Sequence, residues 1–298
     1  MTAAPQAWAG FWSHEPAGAG GGATLGDLPR PLRALLDAPW SALAASLPER
    51  AAVLDLATGG GVVLELLRSL RGDLVLTGVD GASPLPERRG MRLIGGVDNG
   101  NLPFADAAFA AVTSRFGIEY GGLEESAGEA ARVLRPGGAL CLICHHARSP
   151  VLRHNNARRA ALGWAARESG WWGKALAFAR ARRAVPMPVP ASFAAAPAEG
   201  QKRHPDQPVA WEFLTGIAQI LHLVPAHEAE SALQRLLRSG EDELARLDAL
   251  AVAALDDHRL ATLAGACAAA GVTLAPAATI KIPEGDPLAW LIQGRKAQ

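Results

Sequence analysis

Short apolar runs alternate with amphipathic stretches between residues 52 and 146. AVLDL at 52–56 is continuously apolar apart from one aspartate, and predicts a buried strand. GVVLELLRSL at 61–70 spaces its apolar positions for a helix. DLVLTGVD (73–80) and MRLIGG (91–96) predict a second and a third strand, and FAAVTSRFG (109–117) contains a fourth. LEESAGEAARVLRPGG (123–138) reads as a helix closed by Pro136, Gly137 and Gly138, and ALCLICHH (139–146) as a fifth strand. Such alternation predicts an α/β fold, a parallel sheet with helices on both faces.

The flanks follow other patterns. Residues 31–46 read as an amphipathic helix with Pro31 near its start. Residues 148 to 256 interrupt the alternation with helical segments around a proline-rich loop at 185–208. A helix at 256–271 precedes strands at 272–282 and 287–297, which the short segment Glu284–Gly285–Asp286 joins as a hairpin. The uncharged run Leu260–Ile280 is long enough for a membrane span, but its small residues and Pro276 fit a helix, a turn at Gly271 and a strand. The glycine-rich AGAGGGA at 17–23 lacks the flanking strand and helix of a phosphate loop and reads as a linker. Trp8, Phe11 and Trp12 precede it and are expected to pack against the fold. The N-terminus has neither a basic start nor an apolar core of the secretory kind, so a cytoplasmic location is expected.

Composition narrows the function classes. The 298 residues carry 29 Lys plus Arg and 29 Asp plus Glu, which excludes a uniformly basic binder. The charge is unevenly placed. Nine Lys/Arg and one acid fall between Arg148 and Arg183, interleaved with Trp164, Trp171, Trp172 and Phe178, while residues 228–257 are acidic. That stretch reads as a pocket for an anionic or aromatic substrate, as an RNA surface, or as a basic helix face paired to the acidic segment. Cys141 and Cys144 form a CxxC inside a strand pattern, where the two side chains point to opposite faces; no metal site is expected.

The chemistry concentrates at VLDLATGGG (53–61), where a strand ends near Asp55, turns through Gly59 and Gly61 and enters a helix. Glycines let the backbone approach a ligand, and a helix N-terminus offers free N–H groups. Asp80 ends the second strand where a carboxylate can hold a ribose diol, and Asp98 follows the third. Open α/β sheets bind ligands at such carboxyl ends. A dinucleotide oxidoreductase is disfavoured, because ATGGGV lacks the first and last glycines of that fingerprint.

The set VLDLATGGG, TGVD, VDNGNLPFADAAFAAV and RVLRPGGALCLI, in this order, resembles class I S-adenosylmethionine-dependent methyltransferases, especially the small-molecule branch that includes quinone-biosynthesis enzymes. The resemblance implies a Rossmann-like sheet of seven strands, mostly parallel with the last antiparallel, and S-adenosylmethionine as cofactor. It implies that Asp55 with the turn Ala57, Thr58, Gly59 and Gly61 holds the methionine part, that Asp80 binds the ribose, and that Asp98 and Asn99 meet the adenine edge. Arg115 and Phe116 would border the methionine and methyl end. Three positions depart from the family: Ala57 replaces a glycine, Gly81 replaces an apolar residue that packs on adenine, and Ala110 replaces an aspartate.

The expected activity is methyl transfer to oxygen, nitrogen or carbon of a small molecule in specialised or quinone-type metabolism. The alternatives are a non-methyl outcome such as cyclisation of the cofactor, and an RNA- or protein-directed methyltransferase. Nucleic acid is the disfavoured partner, and a homodimer is compatible with the sequence. Candidate proton acceptors beyond strands four and five are Glu119, Tyr120, His145 and His146, the histidines having capping as their alternative role. The expected domains are an N-terminal cap over 1–50, a cofactor domain over 51–147 and 256–298, and a helical substrate lid over 148–255. Trp8, Phe11, Trp12, Trp171 and Trp172 are the expected cap and substrate residues.

Overall fold

The computed structural model describes Trp8 and residues 30–298; Phe11, Trp12 and the 17–23 glycine run lie outside them. The chain divides into two compact units. One comprises residues up to Leu152 together with Ala249–Gln298, and the other comprises Arg153–Asp248.

The first unit is an α/β sheet with helical layers. Its elements are α1 (Arg30–Ser46), β1 (Ala52–Leu56), α2 (Val62–Leu70), β2 (Val75–Asp80), β3 (Arg92–Gly95) and β4 (Phe109–Arg115). A single 3-10 turn (Ile118–Tyr120), α3 (Leu123–Val133) and β5 (Leu134–His145) follow. The strand order is β3-β2-β1-β4-β5-β8-β6, with β8 (Pro287–Lys296) antiparallel to β5 and β6 (Val272–Leu274) antiparallel to β8. Chain order reverses beside β1, which neighbours both β2 and β4, and the crevice at that reversal is where such sheets bind ligands.

Strand alternation feeds two cores, one per face. Leu54, Val112, Leu142 and Cys144 pack with α3, while Val53, Ala111, Cys141 and Ile143 pack with α1 and α2. The two thiols of the CxxC therefore belong to different cores.

The mostly parallel architecture is the one expected, with one more strand. β7 (Ala278–Lys281) pairs β8 beside β6, giving eight strands in place of seven. The expected single strand at 272–282 is split around Pro276, whose missing N–H cannot join a ladder. A second correction concerns the Pro136–Gly137–Gly138 run. It does not close a helix; α3 stops at Val133, since the residue before a proline avoids helical geometry, and the run lies in an irregular start of β5. Register there jumps from Phe109 opposite Leu134 to Ala111 opposite Ala139. The uncharged stretch 260–280 forms the end of α9 (Asp257–Ala269), a left-handed Gly271, β6 and part of β7. Among the described residues no helix is long and apolar enough to cross a membrane.

The second unit is helical. It contains most of α4 (Pro150–Gly163), a π turn (Trp164–Glu168), α5 (Trp171–Ala184), α6 (Ala191–Arg203), α7 (Val209–Leu223) and most of α8 (Ala226–Ala253). Its own core gathers Leu162, Trp164, Phe193, Phe213, Leu214 and Leu233. The basic stretch is paired with the acidic one. Arg158 meets Glu243 at 2.6 Å, Arg159 meets Asp248 at 3.1 Å, Arg180 meets Glu230 at 2.9 Å, and Arg167 meets Glu241. Trp171 and Trp172 pack against this unit's core, Trp171 edge-on to Phe193 at 5.7 Å and hydrogen-bonded to Glu199.

Candidate functional site

The site grows from the carboxyl ends of β1, β2, β4 and β5. Asp55, on β1, is 1% exposed. Its register partner on β4 is Thr113, whose hydroxyl donates to Asp55 Oδ1 at 2.7 Å. Burial pushes the Asp55 carboxyl up to about 6, with the Thr113 hydrogen bond acting against it. A desolvated carboxylate of this kind is an acceptor in want of a cation.

The turn after β1 is left-handed at Ala57 (φ 50°), Gly59 (φ 51°) and Gly61 (φ 83°). Gly59 N–H donates to Asp80 Oδ2 at 2.8 Å, and Ala82 N–H donates to Asp80 Oδ1 at 2.8 Å. Burial raises the Asp80 carboxyl while these two bonds hold it down. Each Asp80 oxygen keeps a second lone pair for a ligand hydroxyl. The Ala57 side chain occupies the space beside Gly117, where an added methyl would stand 2.5 Å from its Cβ. Thus the alanine in the turn and the glycine after β4 fit one another.

Beyond β3, Val97 N–H binds the backbone oxygen of Asp80, which sets the following Asp98–Asn99 pair beside β2. Asp98 Oδ1 accepts from Gly100 N–H at 2.8 Å, and Asn99 Oδ1 is buried without a protein partner among the described residues. At Gly81 an added methyl would meet only Val97 O at 3.9 Å, so the position is open.

β4 ends in Arg115, whose side chain is 10% exposed. Among the described residues its one hydrogen bond joins Nη1 to Asp37 Oδ1 at 3.2 Å. Burial lowers the guanidinium's pKa while Asp37 and Asp55 oppose the shift, and an arginine stays charged under that competition.

Four rings stand together past the strands. Phe116, left-handed at φ 56°, stacks on His145 at 4.3 Å and 25°. Tyr120 meets His145 edge-on at 6.1 Å and Trp8 at 5.9 Å. Glu119 Oε1 accepts from His145 N–H at 2.8 Å, and its Oε2 is buried with no hydrogen-bond partner among the described residues. Burial pushes the Glu119 carboxyl up to about 7 and the His145 imidazole down to about 3. His145 is consequently a neutral ring at physiological pH. His146 faces elsewhere: it stacks on Trp290 at 4.5 Å, and its Nδ1 accepts from Arg148 N–H at 3.0 Å, so that side chain caps the turn after β5.

Asp55 at the end of β1, the turn Ala57, Thr58, Gly59 and Gly61, and Asp80 at the end of β2 therefore adjoin, while Arg115, Phe116 and His145 come from the ends of β4 and β5 and Glu119 and Tyr120 from the 3-10 turn. Trp171 and Trp172 belong to the second unit. Two polar partners had no sequence signal. Asp37 lies 78 residues from Arg115. Thr113 lies 58 residues from Asp55 and inside an apolar strand.

Residues 54–142 match a family model described as a methyltransferase domain. A demethylmenaquinone methyltransferase of Thermotoga maritima is 39% identical over 101 residues, 32% of this chain and 43% of that protein. A demethylmenaquinone methyltransferase of Thermus thermophilus is 37% identical over 100 residues, 30% of this chain and 46% of that protein. The chain spans less than half the length of these curated relatives. A solved structure described as an S-adenosylmethionine-dependent methyltransferase from Aquifex aeolicus is 12% identical, with 89% of this chain and 93% of that one covered at a TM-score of 0.43.

Proposed function

We propose that this chain is a class I S-adenosylmethionine-dependent methyltransferase that methylates a flat, hydroxylated or quinol-like small molecule; the methyltransferase-domain match over residues 54–142 and the likeness to two demethylmenaquinone methyltransferases support the reading. The observation that carries the reading is a pair of buried opposite charges flanking a left-handed turn: Asp55 on β1 and Arg115 on β4. That pair complements the two ends of an amino-acid zwitterion. Asp55 suits the ammonium, Arg115 the carboxylate, Asp80 the ribose hydroxyls, and Asn99 Oδ1 with Asp98 the adenine amino edge.

S-adenosylmethionine supplies a methyl group already activated on a sulfonium. The protein's share is then alignment, exclusion of water and removal of one proton. Phe116, His145 and Tyr120 offer ring faces and edges against which a planar acceptor packs. Glu119 is the group suited to take the acceptor's proton, because burial lifts its carboxyl to about 7, against the His145 N–H and Cys144 thiol interactions, and Oε2 has no hydrogen-bond partner among the described residues. His145, held neutral and weakly basic, is a wall rather than the base. The demethylmenaquinone methyltransferase relatives support a ring-bearing acceptor. The lid role of residues 148–255 and the cap role of Trp8 belong to the same proposal.

Calorimetry with S-adenosylhomocysteine tests the cofactor reading: micromolar binding is expected, with a loss of more than about tenfold in Asp80→Ala. With a dihydroxynaphthalene acceptor, mass spectrometry should find S-adenosylhomocysteine and a product heavier by one methyl group in place of one hydrogen. Glu119→Gln should lower turnover while sparing cofactor affinity. Methylthioadenosine formed without acceptor would overturn methyl transfer.

A further inference from the structure

Arg115 and Asp37 form an unequal pair. The guanidinium side chain is 10% exposed and the carboxylate 32% exposed, so the cation is fixed in the fold while the anion reaches solvent. Their contact is one bond of 3.2 Å, longer than a strong charge-assisted bond and short of the two parallel bonds a guanidinium fork makes to a carboxylate. Among the described residues the guanidinium makes this one hydrogen bond, so its other donors are not spent on the fold there. The partner does not come from the strands that frame the turn. It comes from α1, where Asp37 lies between Leu36 and Trp40, which are 1% and 0% exposed. Those anchors hold the helix, so Asp37 can release Arg115 by rotating its own side chain into water. Asp55 and Arg33 are the other charges acting on Arg115, one attracting and one repelling it.

We infer that Asp37 is a built-in stand-in for the carboxylate of the cofactor's amino-acid end. It neutralises the buried Arg115 and competes with the ligand's carboxylate for it. The inference rests on the reading of Arg115 as the carboxylate-binding residue. Its consequence is that Asp37 weakens cofactor binding, and does so only for ligands that carry an α-carboxylate.

Two nucleosides separate the possibilities. S-adenosylhomocysteine has the amino-acid end, and 5′-methylthioadenosine lacks it. By calorimetry on the whole chain, Asp37→Asn should tighten S-adenosylhomocysteine by about two- to fivefold, the size of a partly exposed ion pair. It should leave methylthioadenosine unchanged. Arg115→Lys should weaken S-adenosylhomocysteine by more than about tenfold, again without effect on methylthioadenosine. Because an unpaired arginine can destabilise the fold, Asp37→Ser provides a second variant. For both, S-adenosylhomocysteine should raise Tm by more than it does in the wild type. Weaker or unchanged S-adenosylhomocysteine binding in both Asp37 variants overturns the inference and makes Asp37 a positioning residue. Failure of the wild type to bind either nucleoside overturns the cofactor reading itself, and the inference with it.

Discussion

At the level of single residues, Asp55 makes ligand binding depend on pH. Its folded-state carboxyl sits at about 6, above the 3.8 of an unperturbed aspartate. Between those values the folded protein holds a proton that the unfolded chain has lost. This group's contribution to stability is therefore greatest at low pH, falls as pH rises through that window, and levels above about 6. Cation binding has the opposite sign, because it needs the ionised form. Affinity for S-adenosylhomocysteine is expected to rise with pH up to about 6 and flatten above it. Calorimetry from pH 5 to pH 8 would follow the curve, and Asp55→Asn should bind weakly with no such slope. The aspartate itself was legible in the sequence, because a lone acid ending an apolar run before a glycine turn has few other uses. Its partner Thr113, and Asp37 as the partner of Arg115, were not. Their pairings exist only once β4 lies beside β1 and α1 packs on the sheet.

Among the elements, the turn between β1 and α2 and the turn after β4 depend on each other's small side chains. Ala57 is left-handed without being glycine, a conformation that costs about 1 kcal/mol. Its methyl leaves Gly117 no room for a Cβ, which would stand 2.5 Å away. Gly117→Ala is expected to destabilise the protein by about 1–3 kcal/mol in urea unfolding and to weaken cofactor binding by moving the β1 turn. The companion change Ala57→Gly should restore part of both. Periodicity located β1, α2, β2 and β4 to within two residues, because buried parallel strands announce themselves as unbroken apolar runs. It erred where proline and glycine have two readings. The Pro136–Gly137–Gly138 run looks like a helix stop and begins a strand, and Pro276 divides one apparent strand into two.

For the whole molecule, the zero net charge has a structural counterpart in the second unit. The arginines of α4, the π turn and α5 meet the acids of α8, so the basic stretch is a set of ion pairs along helices. The pocket and RNA readings of that stretch lose much of their charge to these pairs. Filter binding across a salt series should find no salt-dependent RNA affinity near 150 mM salt. Glu243→Gln, which removes the partner of Arg158, should cost at most about 1 kcal/mol. Strong RNA binding by the wild type would reverse that assignment. The sequence contained both charge blocks and the option that they pair. Only the packing of α8 against its neighbours selects it.

The split CxxC also gives the chain two native time-keepers. Cys141 is sealed beneath α1 and α2, and Cys144 beneath α3 and α9, in opposite layers of one sheet. A thiol reagent can reach either sulfur only when the layer above it opens. With Cys267, the third buried thiol, resolved separately by peptide mapping, the relative labelling rates of Cys141 and Cys144 would therefore clock how often each helical layer peels away.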